Sequence, residues 1–124
     1  MSDQNNALAV SGPLFTAART VVDQLDYGIE VDGKLQFEFE LRLFTVEDNI
    51  QAVAMATGAG MDVTRIMLAR ALVRLGDLPK ERITPELLGG LVDDDYDLLL
   101  AVQAELKKKL KRSNASSSTS APQS

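Results

Sequence analysis

The sharpest pattern in the chain is an alternation of apolar and polar residues on both sides of an Asp32-Gly33 pair. An alternation with a period of two predicts strands that have one solvated face. The apolar positions are Tyr27, Ile29, Val31, Leu35, Phe37, Phe39, Leu41 and Leu43. We therefore predict a β-hairpin that packs its apolar face on the rest of the fold, because a lone hairpin is marginal in water.

Two loop lengths are compatible with this hairpin. A two-residue loop of Asp32-Gly33 fits the preferred turn sequences, but it sets Val31 opposite Lys34. A three-residue loop from Asp32 to Lys34 sets Val31 opposite Leu35 and keeps apolar residues together. Because a slip of one residue moves every side chain of a strand to the other face, we predict the three-residue loop.

Helix signals follow the hairpin directly. Thr45 is a good N-cap, and two acids follow in the first turn, where the helix dipole favours negative charge. Val46, Ile50 and Val53 recur at helical spacing, which predicts a buried stripe. The glycine-rich segment Thr57–Gly60 predicts the end of this helix.

Further helices are predicted after this first one. The second begins near Asp62 and ends at Gly76 as its C′ residue. Its inward positions are Val63, Ile66, Met67, Leu72 and Leu75. Thr84-Pro85-Glu86 opens a short third helix, which Gly89-Gly90 closes, and Asp93 begins the last one. The apolar stripe of the last helix is Leu99, Val102, Leu106 and Leu110.

These elements predict an α+β fold: an N-terminal β-hairpin followed by a small bundle of three to four helices, with disordered termini. The segment Pro13–Leu25 fits either a short helix or an extended segment. Residues 1–12 predict a disordered leader, residues 13–112 a single domain, and residues 113–124, half of them Ser, a disordered tail. The N-terminal segment MSDQNNALAVSGP is too polar for a secretory signal, which predicts a cytoplasmic protein, and the absence of cysteine fits this location. No apolar run is long enough to predict a membrane span.

The composition excludes the usual catalytic machinery. The chain contains no His, and no Ser occurs between Gly12 and Arg112, so a hydrolase triad lacks both its nucleophile and its base. No glycine-rich phosphate loop of standard spacing is present. We therefore predict a protein that is not an enzyme and needs no cofactor.

The segment DDDYD is the best candidate for a metal site. Counted from Asp93, Asp95 and Asp97 fall at the third and fifth positions of a calcium loop. Leu98 then stands where that loop needs Gly, and Ala104 where it needs Glu. The pattern is more typical of an acidic helix N-terminus, so no metal is predicted.

The charge distribution suggests which partners to consider. The net charge is −5, but residues 107–112 (KKKLKR) hold five of the 13 basic residues, so residues 1–106 carry eight Lys and Arg against 18 Asp and Glu, a balance of −10. Arg65, Arg70 and Arg74 lie in a stretch that resembles a helix-turn-helix, although solvated positions on an acidic body explain them better. The basic end fits a helix complementing its own dipole or a handle for an acidic partner, and it has too few apolar residues for a membrane surface.

Three segments of the chain occur in the order seen in a known family. They are LRLFTVEDNI, LARALVRLGDLP and ITPELLGGLVDDDYDLLLAVQAELKKK. Together they resemble the small tail assembly chaperones of contractile-tailed, Mu-like phages and prophages. The resemblance covers Tyr27 to Lys109. Its most specific parts are residues 45–49, 75–79 and 84–88 and the Asp-rich start of the last helix.

The resemblance implies a non-enzymatic function. Such chaperones coat the long helical tape measure protein, keep it soluble, and are displaced as tail tube subunits polymerise. The expected location is the host bacterial cytoplasm, not the mature virion. Expected partners are the tape measure protein, the tail tube protein, a longer frameshifted form of the chain arising near Lys107–Lys109, and further copies in a homo-oligomer. The alternative is a small phage nucleic-acid-binding regulator that uses the Arg-bearing helices and the basic end.

Two groups of residues are candidates for binding a partner. Leu99, Val102 and Leu106 form a stripe that fits either the core or a client contact, and the core is favoured. Arg42, with Glu38 and Glu40 on the solvated strand face, is the second candidate.

Overall fold

The computed structural model describes residues 12–56 and 62–112. Its strands are β1 (Leu14–Phe15), β2 (Thr20–Val31), β3 (Lys34–Arg42) and β4 (Leu72–Leu75). Its helices are α1 (Val46–Ala56), α2 (Val63–Ala71), α3 (Pro85–Leu88) and α4 (Asp93–Leu110), with a 3₁₀ turn at Lys80–Arg82. The predicted α+β class is confirmed. The predicted leader up to residue 11, the helix end at Thr57–Gly60 and the Ser-rich tail from residue 113 lie outside the described residues.

The predicted hairpin is the centre of a larger sheet. The four strands are antiparallel neighbours in the order β1-β2-β3-β4. The segment left open between helix and extended chain is extended, since it supplies β1 and the first half of β2. The sheet therefore has one further strand on each side of the hairpin. These strands pair with the two edges that a hairpin alone would leave open.

The predicted three-residue loop is wrong. Val31 pairs with Lys34 across a two-residue Asp32-Gly33 turn. Both turn residues have a positive φ, 55° at Asp32 and 78° at Gly33, which is the geometry that matches the twist of a hairpin and that Asp-Gly adopts readily. Near the turn the strand consequently has the other register, so Leu35 is exposed and Gln36 is buried.

A bulge in β2 restores the apolar register further along. Gln24 pairs with Glu38 and Ile29 with Gln36, so residues 25–28 of β2 stand opposite the single residue Phe37. Beyond the bulge Phe39 and Leu41 are fully buried, as the alternation predicted. The fold thus uses the favoured tight turn and still buries the second half of β3.

The second helix ends earlier than predicted. It stops at Ala71, and Leu72–Leu75 continues as strand β4 against β3. Gly76 is therefore not a helix C′ residue. It follows a strand, with φ 58° and its N–H donating to the Glu38 carbonyl. Leu72 and Leu75 are buried as expected, because strand pairing gives their backbone groups partners while both side chains reach the core.

The core lies between the sheet and α4, which packs mainly on β2. Leu99, Val102 and Leu106 of α4 are buried in it. The sheet contributes Val21, Leu25, Ile29, Val31, Phe39, Leu41, Leu72 and Leu75. The short helix α3 starts as predicted, because the Thr84 hydroxyl accepts from the Leu87 N–H at 3.1 Å and Pro85 follows the cap.

Candidate functional site

Helix α1 turns its apolar stripe outward. Val46, Ile50 and Val53 are 78%, 54% and 49% exposed, so the prediction of a buried stripe is wrong. The fully buried residues of α1 are Asp48 and Ala52. At about 100° per residue, the three apolar side chains share one narrow face on the opposite side of the helix. We call Val46, Ile50 and Val53 the outer stripe.

An ion cluster explains this orientation. The Arg42 guanidinium donates to the Asp48 carboxylate at 2.7 and 3.0 Å, and Arg70 Nε donates to the same carboxylate at 2.9 Å. Arg42 is the last residue of β3 and Arg70 lies near the end of α2. Separating Asp48 from its arginines would leave a buried charge unpaired, which is strongly unfavourable. The ion pairs therefore hold the Asp48 side of α1 against the sheet and α2. We call Asp48, Arg42 and Arg70 the ion triad.

The first turn of α1 is fixed by a reciprocal cap. The Thr45 hydroxyl accepts from the Asp48 N–H at 3.2 Å, and the Asp48 carboxylate accepts from the Thr45 N–H at 2.8 Å. This is the capping-box arrangement, and it confirms Thr45 as the N-cap. Asp48 therefore has two roles, since it closes the helix N-terminus and also pairs with both arginines.

The surrounding groups complete the cluster. Arg42 also donates to the carbonyls of Leu43 and Arg70, at 2.9 and 3.0 Å. The Lys80 ammonium donates to the carbonyls of Ala69 and Arg70 at 2.8 and 3.2 Å, where the helix dipole favours a cation. These contacts tie β3 and the 3₁₀ turn to the end of α2 without using the outer stripe.

The hydrogen bonds within the ion triad favour the ionised forms of Asp48 and Arg42. Burial alone would raise the pKa of Asp48, but the hydrogen bonds from Arg42, Thr45 and Arg70 outweigh it and hold that pKa well below its usual range. The same bond to Asp48 raises the pKa of Arg42. Burial first, and then the charges of Arg42 and Arg70, lower the pKa of Lys80. A carboxylate this firmly ionised is suited to holding structure and not to exchanging protons.

A cleft of about 330 Å³ lies beside the starts of α2 and α4. Its lining includes Asp62, Arg65, Gly89, Asp93 and Tyr96. The Tyr96 hydroxyl donates to Asp62 at 2.8 Å, and burial together with this bond raises the pKa of Tyr96 to about 12. The phenol is therefore a fixed donor at neutral pH, and Asp62 also caps α2 by accepting from the Thr64 N–H. These contacts close the ends of helices and offer no activated nucleophile.

The acidic segment begins α4, as the favoured interpretation predicts. Asp95 is fully buried, and its carboxylate accepts from the N–H groups of Asp26 at 2.8 Å and of Tyr27 and Gly28 at 3.0 Å. It thereby satisfies the β2 bulge, whereas Asp93 and Asp97 are exposed. Across residues 12–56 and 62–112, no group of three or more potential ligands could hold a metal ion.

The arginines of the helix-turn-helix hypothesis have structural partners. Leu72–Leu75 is a strand, so the helix proposed to carry these arginines stops at Ala71 and Arg74 lies in β4. Arg70 belongs to the ion triad, and Arg74 donates to Glu38 at 2.8 Å. Arg65 Nε is buried and has no hydrogen-bond partner among the described residues. These positions form no shared basic face.

The candidate partner residues lie in different environments. Leu99, Val102 and Leu106 are in the core, and Arg42 is occupied by Asp48, so contact of any of them with a client stays a prediction. The basic end of α4 is exposed at Lys107, Lys108 and Lys109, with the Lys109 ammonium 5.4 Å from the centre of the Phe15 ring.

No family model, no curated protein and no solved structure matches this chain. Within the described ranges, no helix has both the length and the apolar character needed to cross a bilayer. The outer stripe is then the feature that most needs a functional explanation. Sequence periodicity found its three residues but assigned them to the core, because the partners of Asp48 lie 6 and 22 residues away.

Proposed function

We propose that this chain is a tail assembly chaperone of a contractile-tailed, Mu-like phage or prophage. It binds the tape measure protein, keeps it soluble, and is displaced when the tail tube polymerises. The resemblance of its three segments to that family supports the proposal at the level of sequence. The structural observation that carries it is the outer stripe, an apolar helix face that points to solvent.

An exposed stripe of this kind favours a binding function over a catalytic one. Burying apolar surface contributes about 25 cal/mol per Å², and Val46, Ile50 and Val53 are each exposed over about half of their surface or more, which a bound partner would cover. The ion triad holds the opposite side of α1 in place whether or not a partner is present. The stripe is therefore a preformed surface, which lowers the ordering cost of binding.

The charge of the chain fits the same role. Residues 1–106 carry a balance of −10, and a strongly charged surface keeps a complex with an aggregation-prone client in solution. The same charge repels nucleic acid phosphates. The alternative of a nucleic-acid regulator also lacks the single arginine-bearing helix it requires, since Arg65 and Arg70 lie in α2 and Arg74 in β4.

Release of the client follows from the size of the surface. A stripe of three side chains binds weakly, and many weak copies along one long client gain strength through effective concentration. The sequence has no glycine-rich phosphate loop. Tube subunits that polymerise around the client therefore release the chaperone by competition, without nucleotide hydrolysis.

Co-expression tests the proposal. The full chain is produced with the tape measure protein encoded in the same genome, and the soluble yield of that protein is measured. We expect the yield to rise with the wild-type chain and to fall back with Ile50→Gln, whereas Leu35→Gln, at a residue of similar exposure (51%) on the hairpin, keeps it high. A soluble yield that the wild-type chain leaves unchanged would overturn the proposal.

Three further observations separate the alternatives. Purified tube protein added to the complex should release the client without nucleotide. Purified particles should lack the chain, because a structural tail subunit would be retained. A nucleic-acid regulator would instead shift labelled DNA at low salt and lose it as salt rises.

A further inference from the structure

We infer that the outer stripe takes one amphipathic helix of the client, with Lys or Arg beside the apolar positions of that helix. This inference rests on the proposed function and names the chemistry of the segment that is bound. It is carried by three properties of α1: the arrangement of the stripe, its size, and the charges around it.

The arrangement favours a helix as the bound element. Val46 and Ile50 are four residues apart and Val53 is three further on, so they form the kind of ridge that packs into the groove of a second helix. A helix satisfies its own backbone hydrogen bonds, whereas an added strand needs a free sheet edge to pair with. The outer stripe lies on a helix and presents no sheet edge, so a strand has nothing to pair with there.

The size of the stripe favours a single helix over a second copy of this chain. The stripe spans about 10 Å along the helix axis at 1.5 Å per residue. A stable interface needs about 800 Å² from each partner, which three aliphatic side chains do not supply. Two or three turns of a client helix match the length of the stripe.

Charge sets the flanks of the bound helix. Glu47 is exposed on the first turn of α1, and α1 contains no Lys or Arg. Asp48 is buried on the opposite side of α1, where it pairs with Arg42 and Arg70, so Glu47 is the acidic group next to the stripe on this helix. A second copy would bring the same acidic helix and the same acidic body. A client helix with basic flanks instead meets a surface of opposite sign.

The basic end of another copy does not provide such a helix. Lys107, Lys108 and Lys109 are exposed, but Leu106 beside them is fully buried in the core of its own chain. That end therefore carries the charge without an apolar face. The observations thus favour a basic amphipathic helix of the client over self-association.

A peptide titration tests the inference on the full chain. The probe is a fluorescent helical peptide of about 18 residues, five turns, with Leu at i, i+3, i+4 and i+7 and Lys on both flanks; a second peptide has Glu on its flanks. Anisotropy should show binding of the Lys peptide that weakens about tenfold in Ile50→Gln and stays unchanged in Leu35→Gln. The Glu peptide should bind less tightly at low salt.

Charge is tested by a second pair of variants. Glu47→Gln should weaken the Lys peptide about threefold at low salt, as expected for an exposed charge pair, and Glu30→Gln, also exposed, should not. Equal affinity for the two peptides, or no effect of Ile50→Gln, overturns the inference. Sedimentation that shows a dimer abolished by Ile50→Gln, without peptide binding, overturns it in favour of a second copy.

Failure of this inference is distinguishable from failure of the proposed function. If the tape measure protein is solubilised equally by the wild-type chain and by Ile50→Gln, the chaperone function stands and the outer stripe is not its binding surface. If the peptide binds through Ile50 but the tape measure protein is not solubilised, the surface stands and its client is another protein with a basic helix.

Discussion

Arg42 holds Asp48 through both terminal nitrogens of its guanidinium, at 2.7 and 3.0 Å. This bidentate interaction joins the end of β3 to the first turn of α1. It fixes which side of α1 faces the protein, because the carboxylate it holds is fully buried. The exposed position of Val46, Ile50 and Val53 is a consequence of this one relationship and of the second bond from Arg70.

Replacing Asp48 with Asn should destabilise the fold strongly. The substitution leaves two guanidinium groups without their counter-charge, and breaking a buried pair on one side costs about 3–5 kcal/mol. Because both arginines are about one-third exposed, we expect about 2–4 kcal/mol in the free energy of unfolding, measured by urea denaturation. The matched control is Asp77→Asn, which breaks the exposed Lys34 pair and should change the free energy of unfolding little, because solvent screens exposed ion pairs. Equal losses in the two variants would contradict the role of the triad.

Stability should fall on acidification through the same residue. The folded state lowers the pKa of Asp48 below its unfolded value of about 3.9, so its contribution is full above that value and is lost as the pH falls towards the folded pKa. Urea midpoints measured at about pH 7, 5 and 3 should drop most over the last interval. Asp48→Asn should show a smaller drop than Asp77→Asn; the opposite order would refute the assignment.

Replacing Asp95 with Asn should open the β2 bulge. One carboxylate accepts three backbone N–H groups, and an amide offers a single acceptor oxygen and turns an N–H₂ group towards the remaining donors. We expect a loss of about 2–3 kcal/mol and faster hydrogen exchange at the amides of Asp26, Tyr27 and Gly28. Asp94→Asn, in the same helical turn but exposed, should leave those amides protected.

The two hairpin glycines separate backbone strain from packing. Gly28 and Gly33 have similar positive φ values, 84° and 78°. A Cβ at Gly33 meets no atom within 4 Å, whereas one at Gly28 lies 2.9 Å from the Phe37 ring. Gly33→Ala should cost about 1 kcal/mol of strain, and Gly28→Ala about 2–3 kcal/mol because the ring must also move. Thermal denaturation measures both, and equal costs would mean that the ring adapts freely.

Local signals in the sequence predicted local structure well. The caps at Thr45 and Thr84 are confirmed, as are the starts of α1, α3 and α4, because each depends on side chains within three or four residues. The predicted α+β class and the burial of Phe39 and Leu41 are confirmed too. The caps and helix starts require no knowledge of distant partners.

Features that depend on distant partners were predicted wrongly. The sequence LVRL suits a helix or a strand, and pairing with β3, more than 30 residues earlier, decides for β4. The loop length was wrong because the bulge that corrects the register depends on Asp95, far along the chain. The outer stripe was placed in the core because apolar periodicity does not reveal that Asp48 has two arginine partners.

The bond between Asp95 and the hairpin has a consequence for synthesis on the ribosome. The carboxylate follows the amides it accepts from by 69, 68 and 67 residues. Until Asp95 has been translated, three amide groups of the emerging β2 have only water as a hydrogen-bond partner. Closing so long a loop is slow and costly in entropy. The nascent chain therefore completes its native sheet only after the start of α4 has left the exit tunnel.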